Sequence, residues 1–181
     1  MPVKAGAGMA AQYRVLIVDD DVNLRKTLGD ILKLKGFVPV PATDGKTALE
    51  EVRAQPPDVA LIDLRLEDRP GLEILRDIKE ISPGTECIVL TGNATQESAI
   101  QAINLGAFQY VQKPYDIDQL LVTIRRAIER QDALRLLRER QARYKAIFDG
   151  ANDAIFLMNA LTIVDCNQKT LEIYGCEREQ I

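Results

Sequence analysis

The sequence predicts an α/β protein: a small domain built on a five-stranded, parallel, doubly wound sheet, then a long helix and the first elements of an α+β segment. Three observations carry this prediction. Short apolar runs alternate with amphipathic stretches through the first 115 residues or so. The runs are apolar at successive positions rather than at every second one, as strands covered by helices on both faces are. Turn signals at Gly36, Pro56–Pro57, Ser82–Gly84 and Gly106 separate the units.

The elements follow in order. Residues 1–12, "MPVKAGAGMAAQ", have no apolar core and are expected to form a flexible tail. The strands are predicted at Tyr13–Val18, Phe37–Val40, Val59–Ile62, Cys87–Leu90 and Ala107–Val111. Helical patterns occupy Val22–Leu34, Gly45–Arg53, Gly71–Ile81 and Thr95–Leu105. Asp116, with Gln119 three residues on, reads as the N-cap of a further helix running to about Lys145. Its stripe Ile117, Leu121, Ile124 and Ile128 suits packing on the domain, which is expected to span residues 13–130. Leu134, Leu137, Gln141, Tyr144 and Phe148 then step by 3, 4, 3 and 4, a heptad seam. Residues 131–145 are therefore expected to act as a coiled-coil linker in a parallel homodimer. In residues 146–181, "AIFLM" and "TIVDC" read as strands around a turn at Asn159–Leu161, and "NQKTLEIYG" as a helix ended by Gly175. Two strands and a short helix do not close a core, so a domain cut short is expected.

Composition narrows the function. Apolar content is 46% and charged content 28%, with no apolar run near the ~20 residues needed to span a bilayer. Cys87, Cys166 and Cys176 are odd in number and irregularly spaced, which suggests neither a disulfide framework nor a zinc site. A reduced, cytoplasmic setting is the expectation. The chain has no histidine, which excludes Ser-His hydrolysis and a histidine kinase acting through a histidine of its own here. Residues 125–145 carry a net +5 against −9 for the remainder. That basic run reads as a solvated helix face rather than a polyanion site, so no nucleic-acid partner is expected.

The chemistry lies at the strand ends. In an open parallel sheet, ligands bind beyond the carboxyl ends of the strands. Asp19, Asp20 and Asp21 follow the first strand, Asp63 ends the third, Thr91 the fourth, and Lys113 follows the fifth. Clustered carboxylates repel unless a cation sits among them. A hard divalent ion, Mg²⁺ above all with Mn²⁺ as a substitute, suits an all-oxygen ligand set. A hydroxyl and an ammonium opposite suit phosphoryl oxygens, and a carboxylate is a competent nucleophile toward phosphorus. The set reads as a phosphoryl-transfer site.

At these residues the sequence resembles a known family. "VLIVDDDVNLRKTL", "DVALIDLRLEDRPGLEIL", "IVLTGNAT" and "YVQKP" resemble the signatures of the receiver domain of two-component response regulators, over about Tyr13 to Arg130. The resemblance implies a flavodoxin-like sheet of order 2-1-3-4-5 and a sensor histidine kinase as phosphodonor. It implies Asp63 as phosphoacceptor, and Mg²⁺ held by Asp20, Asp63 and the main-chain carbonyl of Arg65, with Asp19 acting through water. Thr91 and Lys113 would contact the phosphoryl group, Tyr110 would be an aromatic switch, and Lys113–Pro114 would be cis. The signal would leave through the helix 4, strand 5 and helix 5 surface. Glu67 and Arg69–Pro70–Gly71 depart from the family pattern, so the loop after Asp63 is expected to have its own conformation. Asp21 has no implied role and suits a helix cap. The last segment, with Asn167 and Gly175, resembles the first third of a PAS domain. Pocket-lining elements of that family come later, so no PAS ligand is implied, and Cys166 and Cys176 read as apolar filler.

Two other readings stay open on the residues alone. Asp19-x-Asp21 resembles the nucleophile motif of haloacid-dehalogenase-like phosphohydrolases, with Asp19 as nucleophile. The chain also suits a phosphorylation-silent dimerisation scaffold. On the leading reading the chain is a regulatory phosphoacceptor, not a turnover enzyme. Its parent is then a regulator with a PAS-linked effector, or a hybrid kinase whose catalytic part lies elsewhere.

Overall fold

The computed structural model describes residues 13–92, 95–175 and 177. The chain divides into two units at Gln131–Asp132.

The first unit alternates strands and helices: β1 Arg14–Val18, α1 Val22–Leu34, β2 Val38–Ala42, α2 Gly45–Ala54, β3 Val59–Asp63, α3 Gly71–Ile81, β4 Glu86–Thr91, α4 Gln96–Asn104 and β5 Gln109–Gln112. Helix α5, Ile117–Asp149, begins in this unit. The strands are parallel, in the order β2-β1-β3-β4-β5. Side-chain alternation sends Leu16, Val18, Ala60, Ile62, Cys87 and Val89 to one face, where they pack with Leu49 and Val52 of α2, Ile74 and Ile78 of α3, and Ala102 of α4. Val15, Ile17, Val59, Leu61, Ile88 and Leu90 go to the other, against Leu28 and Leu32 of α1 and Leu120, Leu121, Ile124 and Ile128 of α5. Burial on both faces is why these strands read as continuous apolar runs.

Local chemistry sets the helix starts. The Asp21 carboxylate accepts hydrogen bonds from the amides of Asn23 and Leu24 and caps α1, as expected. Those two bonds hold its carboxyl below the usual carboxylate range. Asp44 caps α2 through the Thr47 amide, Thr95 and Ser98 form a capping box on α4, and Asp116 caps α5. Strand β2 runs two residues further than the sequence suggested. It lies at the sheet edge, and the Val38 amide donates inward to the Tyr13 carbonyl, so Pro39 and Pro41 turn their hydrogen-less nitrogens to the open side. Proline is tolerated there, and it denies the edge to a foreign strand.

The second unit takes α5 from Asp132 onward, with the antiparallel pair β6 Phe156–Asn159 and β7 Thr162–Cys166, and α6 Gln168–Tyr174. Helix α5 continues past Lys145 to Asp149, because no glycine or proline interrupts it before Gly150. Asn167 is fully buried at the N-cap of α6. Its Oδ1 accepts from the amides of Ile155 (3.0 Å) and Thr170 (3.1 Å) and from the Thr170 hydroxyl (2.7 Å), and its Nδ2 donates to the Asp153 carbonyl (2.9 Å). Gly175 ends α6 in the left-handed region, φ 65°. Of the heptad positions, Leu134, Leu137 and Tyr144 are exposed. Phe148 is buried within this unit and stacks on Tyr144 at 5.3 Å between ring centroids. The last seam position is thus occupied inside the chain. Cys166 is buried, as expected of a filler; Cys176 lies outside the described residues.

Candidate functional site

Strand register brings the functional side chains together. Val18 pairs with Ile62, Asp63 with Leu90, and Thr91 with Gln112. Each residue one step beyond these pairs therefore joins the same rim: Asp19 beside Asp63, Thr91 beside that, and Lys113 next. The Lys113 amide donates to the Thr91 carbonyl at 2.6 Å, and the Lys113–Pro114 bond is cis.

At the centre, the Lys113 ammonium donates to Asp19 Oδ2 at 2.8 Å and to Asp63 Oδ2 at 2.5 Å. Asp19 Oδ1 accepts from the Asp21 amide at 2.9 Å, and Asp63 Oδ1 from the Arg65 amide at 3.1 Å. Asp19, Asp63 and Thr91 are buried, whereas Asp20 is exposed. Burial pushes the Asp19 carboxyl up, against the pull of Lys113 and the Asp21 amide. Burial also disfavours the Lys113 ammonium, but its hydrogen bonds to Asp19 and Asp63 carry the net shift upward. The pair works as one unit: a lysine held protonated between two acids. Asp19, Asp20 and Asp63 each offer a carboxylate oxygen, all within 4.8 Å of one another, which a single hard cation can span.

The loop after Asp63 has a clamped conformation. Arg65 and Pro70 form a bridge, the Gly71 amide donates to the Leu64 carbonyl at 2.9 Å, and Asp68 accepts from the Gly45 amide at 2.9 Å. Arg69 pairs with Asp77 at 2.6 Å. Gly71 approaches the acceptor's own backbone: a β-carbon on it would lie 2.0 Å from the Asp63 carbonyl oxygen. Any larger residue there forces the main chain to shift.

Two contacts escaped sequence reasoning. The Arg25 guanidinium is buried and donates to the main-chain carbonyl of Asp19, fixing the backbone that carries the acids. The Tyr110 hydroxyl, on β5, lies 2.8 Å from Ser98 Oγ on α4. The only signal for Arg25 was a cation on α1 six residues beyond Asp19; nothing in the sequence marks Ser98. Asp21 turns its carboxylate to the α1 amides, and it is not among the three acids whose carboxylate oxygens converge.

A doubly wound sheet with this acidic rim and its lysine defines a receiver-type protein. Comparison with known families matches residues 15–125 to the response regulator receiver domain and residues 142–181 to the PAS domain. The chain belongs to the response regulator receiver domain family. The regulatory protein AtoC of Escherichia coli (strain K12) is 37% identical over 130 residues, which cover 72% of this chain and 28% of AtoC. The chain thus spans about a quarter of that relative's length. A CheY-like receiver domain protein from Methanospirillum hungatei JF-1 superposes with a TM-score of 0.66 at 30% identity, covering 68% of this chain and 98% of that one. The beryllofluoride-activated NtrC4 receiver domain dimer superposes at 0.63 with 32% identity, covering 65% and 98%. No helix among the described residues is long and apolar enough to cross a membrane.

Proposed function

We propose that the chain is the phosphorylation-controlled part of a two-component signalling protein, with Asp63 as its phosphoacceptor. The observation that supports this best is the Lys113 ammonium bridging Asp19 and Asp63 on a rim where three carboxylates converge. An Asp63 carboxylate oxygen attacks the phosphorus of a phosphohistidine on a partner histidine kinase. The new P–O bond forms as the P–N bond breaks, and the imidazole leaves with the electron pair and takes up a proton. Lys113 then exchanges a carboxylate partner for a phosphoryl oxygen, and the Thr91 hydroxyl donates to another. Mg²⁺ (Mn²⁺ as substitute), held by Asp20, Asp63, the Arg65 carbonyl and, through water, Asp19, would supply charge compensation for those oxygens. Water attack on phosphorus later returns the free carboxylate, so turnover is limited to self-catalysed transfer and autodephosphorylation.

The domain boundaries we assign are 1–12 for the tail, 13–130 for the receiver, 131–145 for the linker and 146–181 for the start of the PAS region. The signal passes from Thr91 to Tyr110, the surface of α4, β5 and α5, and the linker helix. Leu134, Leu137, Gln141 and Tyr144 form the seam of a parallel homodimer, which stops short of Phe148, buried in its own chain. The setting is cytoplasmic, with no nucleic-acid contact by this chain.

Acetyl phosphate with and without Mg²⁺, read by intact mass, tests the assignment. Wild type gains one phosphoryl group only with Mg²⁺, Asp63→Asn gains none, and Leu137→Asp is phosphorylated but monomeric. A gain that survives Asp63→Asn and is lost in Asp19→Asn would transfer the role to strand one. No gain in wild type would leave a silent scaffold.

A further inference from the structure

Tyr110 is tied to α4 by a contact that phosphoryl chemistry does not require. Its ring is half-buried on the sheet face that carries α2, α3 and α4, opposite Val89 in register. Its hydroxyl meets Ser98 Oγ at 2.8 Å. Ser98 is also half of the α4 capping box: its amide donates to Thr95 Oγ1 at 3.2 Å, and its Oγ accepts from the Thr95 amide at 3.3 Å. Ser98 Oγ also lies 3.0 Å from the Thr95 carbonyl and 2.9 Å from Thr95 Oγ1.

Ser98 Oγ is the hub of this cluster. A serine hydroxyl has one proton and two lone pairs. The Thr95 amide and the Thr95 hydroxyl both donate to Ser98 Oγ, and Ser98 Oγ donates to the Thr95 carbonyl. In the bond to Tyr110 either hydroxyl can be the donor. Glutamate or glutamine is the usual residue at this position of a capping box. The shorter serine leaves its oxygen close to the helix axis, where a residue on β5 can reach it. This arrangement coexists with Lys113 bound to both Asp19 and Asp63, the pairing of a free Asp63 carboxylate.

We infer that Ser98 is a positioning residue for Tyr110: it latches the tyrosine to the first turn of α4 while Asp63 is unphosphorylated, and activation proceeds by giving up that bond. The inference rests on Asp63 being the phosphoacceptor and adds how its response is restrained. Ser98 thereby sets the resting balance between the two arrangements.

A double-mutant cycle on the whole chain tests this, using the affinity for beryllofluoride in the presence of Mg²⁺, read by ¹⁹F NMR. Losing one ordinary hydrogen bond from the resting arrangement alone raises the apparent affinity roughly fivefold. Ser98→Ala and Tyr110→Phe each show that gain, and the double variant shows no more than either single one. Ser98→Thr, which keeps the hydroxyl, stays near wild type. Tyr110→Phe leaves the capping box whole, so it decides the matter if Ser98→Ala loosens α4. Unchanged or weakened affinity in Tyr110→Phe, or effects that add in the double variant, would overturn the latch. A wild-type chain that binds no beryllofluoride, or an Asp63→Asn variant that still binds it, would instead overturn the phosphoacceptor reading, and the latch with it.

Discussion

Replacing Gly71 with alanine tests how tightly the loop after Asp63 is built onto the acceptor strand. The added β-carbon would meet the Asp63 carbonyl oxygen at 2.0 Å, the Asp63 carbonyl carbon at 2.9 Å and Leu64 Cα at 2.9 Å, all inside the 3.4 Å at which ordinary contact begins. These atoms are backbone, so no side-chain rotation relieves the overlap. Overpacking of this kind costs about 3 kcal/mol when the main chain must move. Alanine restrains the unfolded chain and favours α3, which offsets about 1 kcal/mol. The net loss of about 2 kcal/mol lowers the melting temperature of the receiver transition by roughly 8 °C, at about 4 °C per kcal/mol for a unit of this size. Gly84→Ala is the control. Nothing lies within 4 Å of its β-carbon and its φ is not positive, so it is neutral or stabilising by up to about 1 kcal/mol. Thermal melts followed by circular dichroism at 222 nm separate the two. Equal melting temperatures for the two variants would refute the close approach and the loop geometry drawn from it.

Other consequences follow from single residues. Arg25→Met removes the donor to the Asp19 carbonyl and lowers stability by about 2 kcal/mol in urea unfolding; a neutral outcome would mean the guanidinium does not hold that backbone. Asn167→Ala strands four hydrogen-bonding partners in a buried site and costs the second unit about 3 kcal/mol, seen as faster amide exchange at Ile155 and Thr170. Burial pushes the Cys87 thiol up to about 12 from 9.0, so it resists alkylation at pH 8 in peptide-resolved mass spectrometry. Between pH 9.0 and about 12 the unfolded chain releases that proton while the folded chain keeps it, so this thiol lowers stability as pH rises through the window.

Much of the fold was legible because both sheet faces are covered. Helices α1 and α3 fall at their expected bounds, Val22–Leu34 and Gly71–Ile81, since their apolar stripes and turn residues agree. β2 was set two residues short because the apolar run stops at Val40, whereas its place at the sheet edge lets Pro41 and Ala42 extend it. The rim was legible for a topological reason. In a parallel sheet the strand ends meet at one side, so Asp19, Asp63, Thr91 and Lys113 share a site without any knowledge of side-chain packing. Arg25 and Ser98 were not legible, because their contacts depend on how helices sit over the sheet. Phe148 fits a heptad by spacing, and only the packing of the second unit shows that its own chain covers it.

The most direct measurement is the chemical identity of the modified residue. After reaction with acetyl phosphate and Mg²⁺, borohydride reduction converts an aspartyl phosphate to homoserine, which peptide mass spectrometry locates. The account predicts homoserine at position 63 alone, absent without Mg²⁺. Homoserine at position 19, or none in protein that has gained a phosphoryl group, would contradict it.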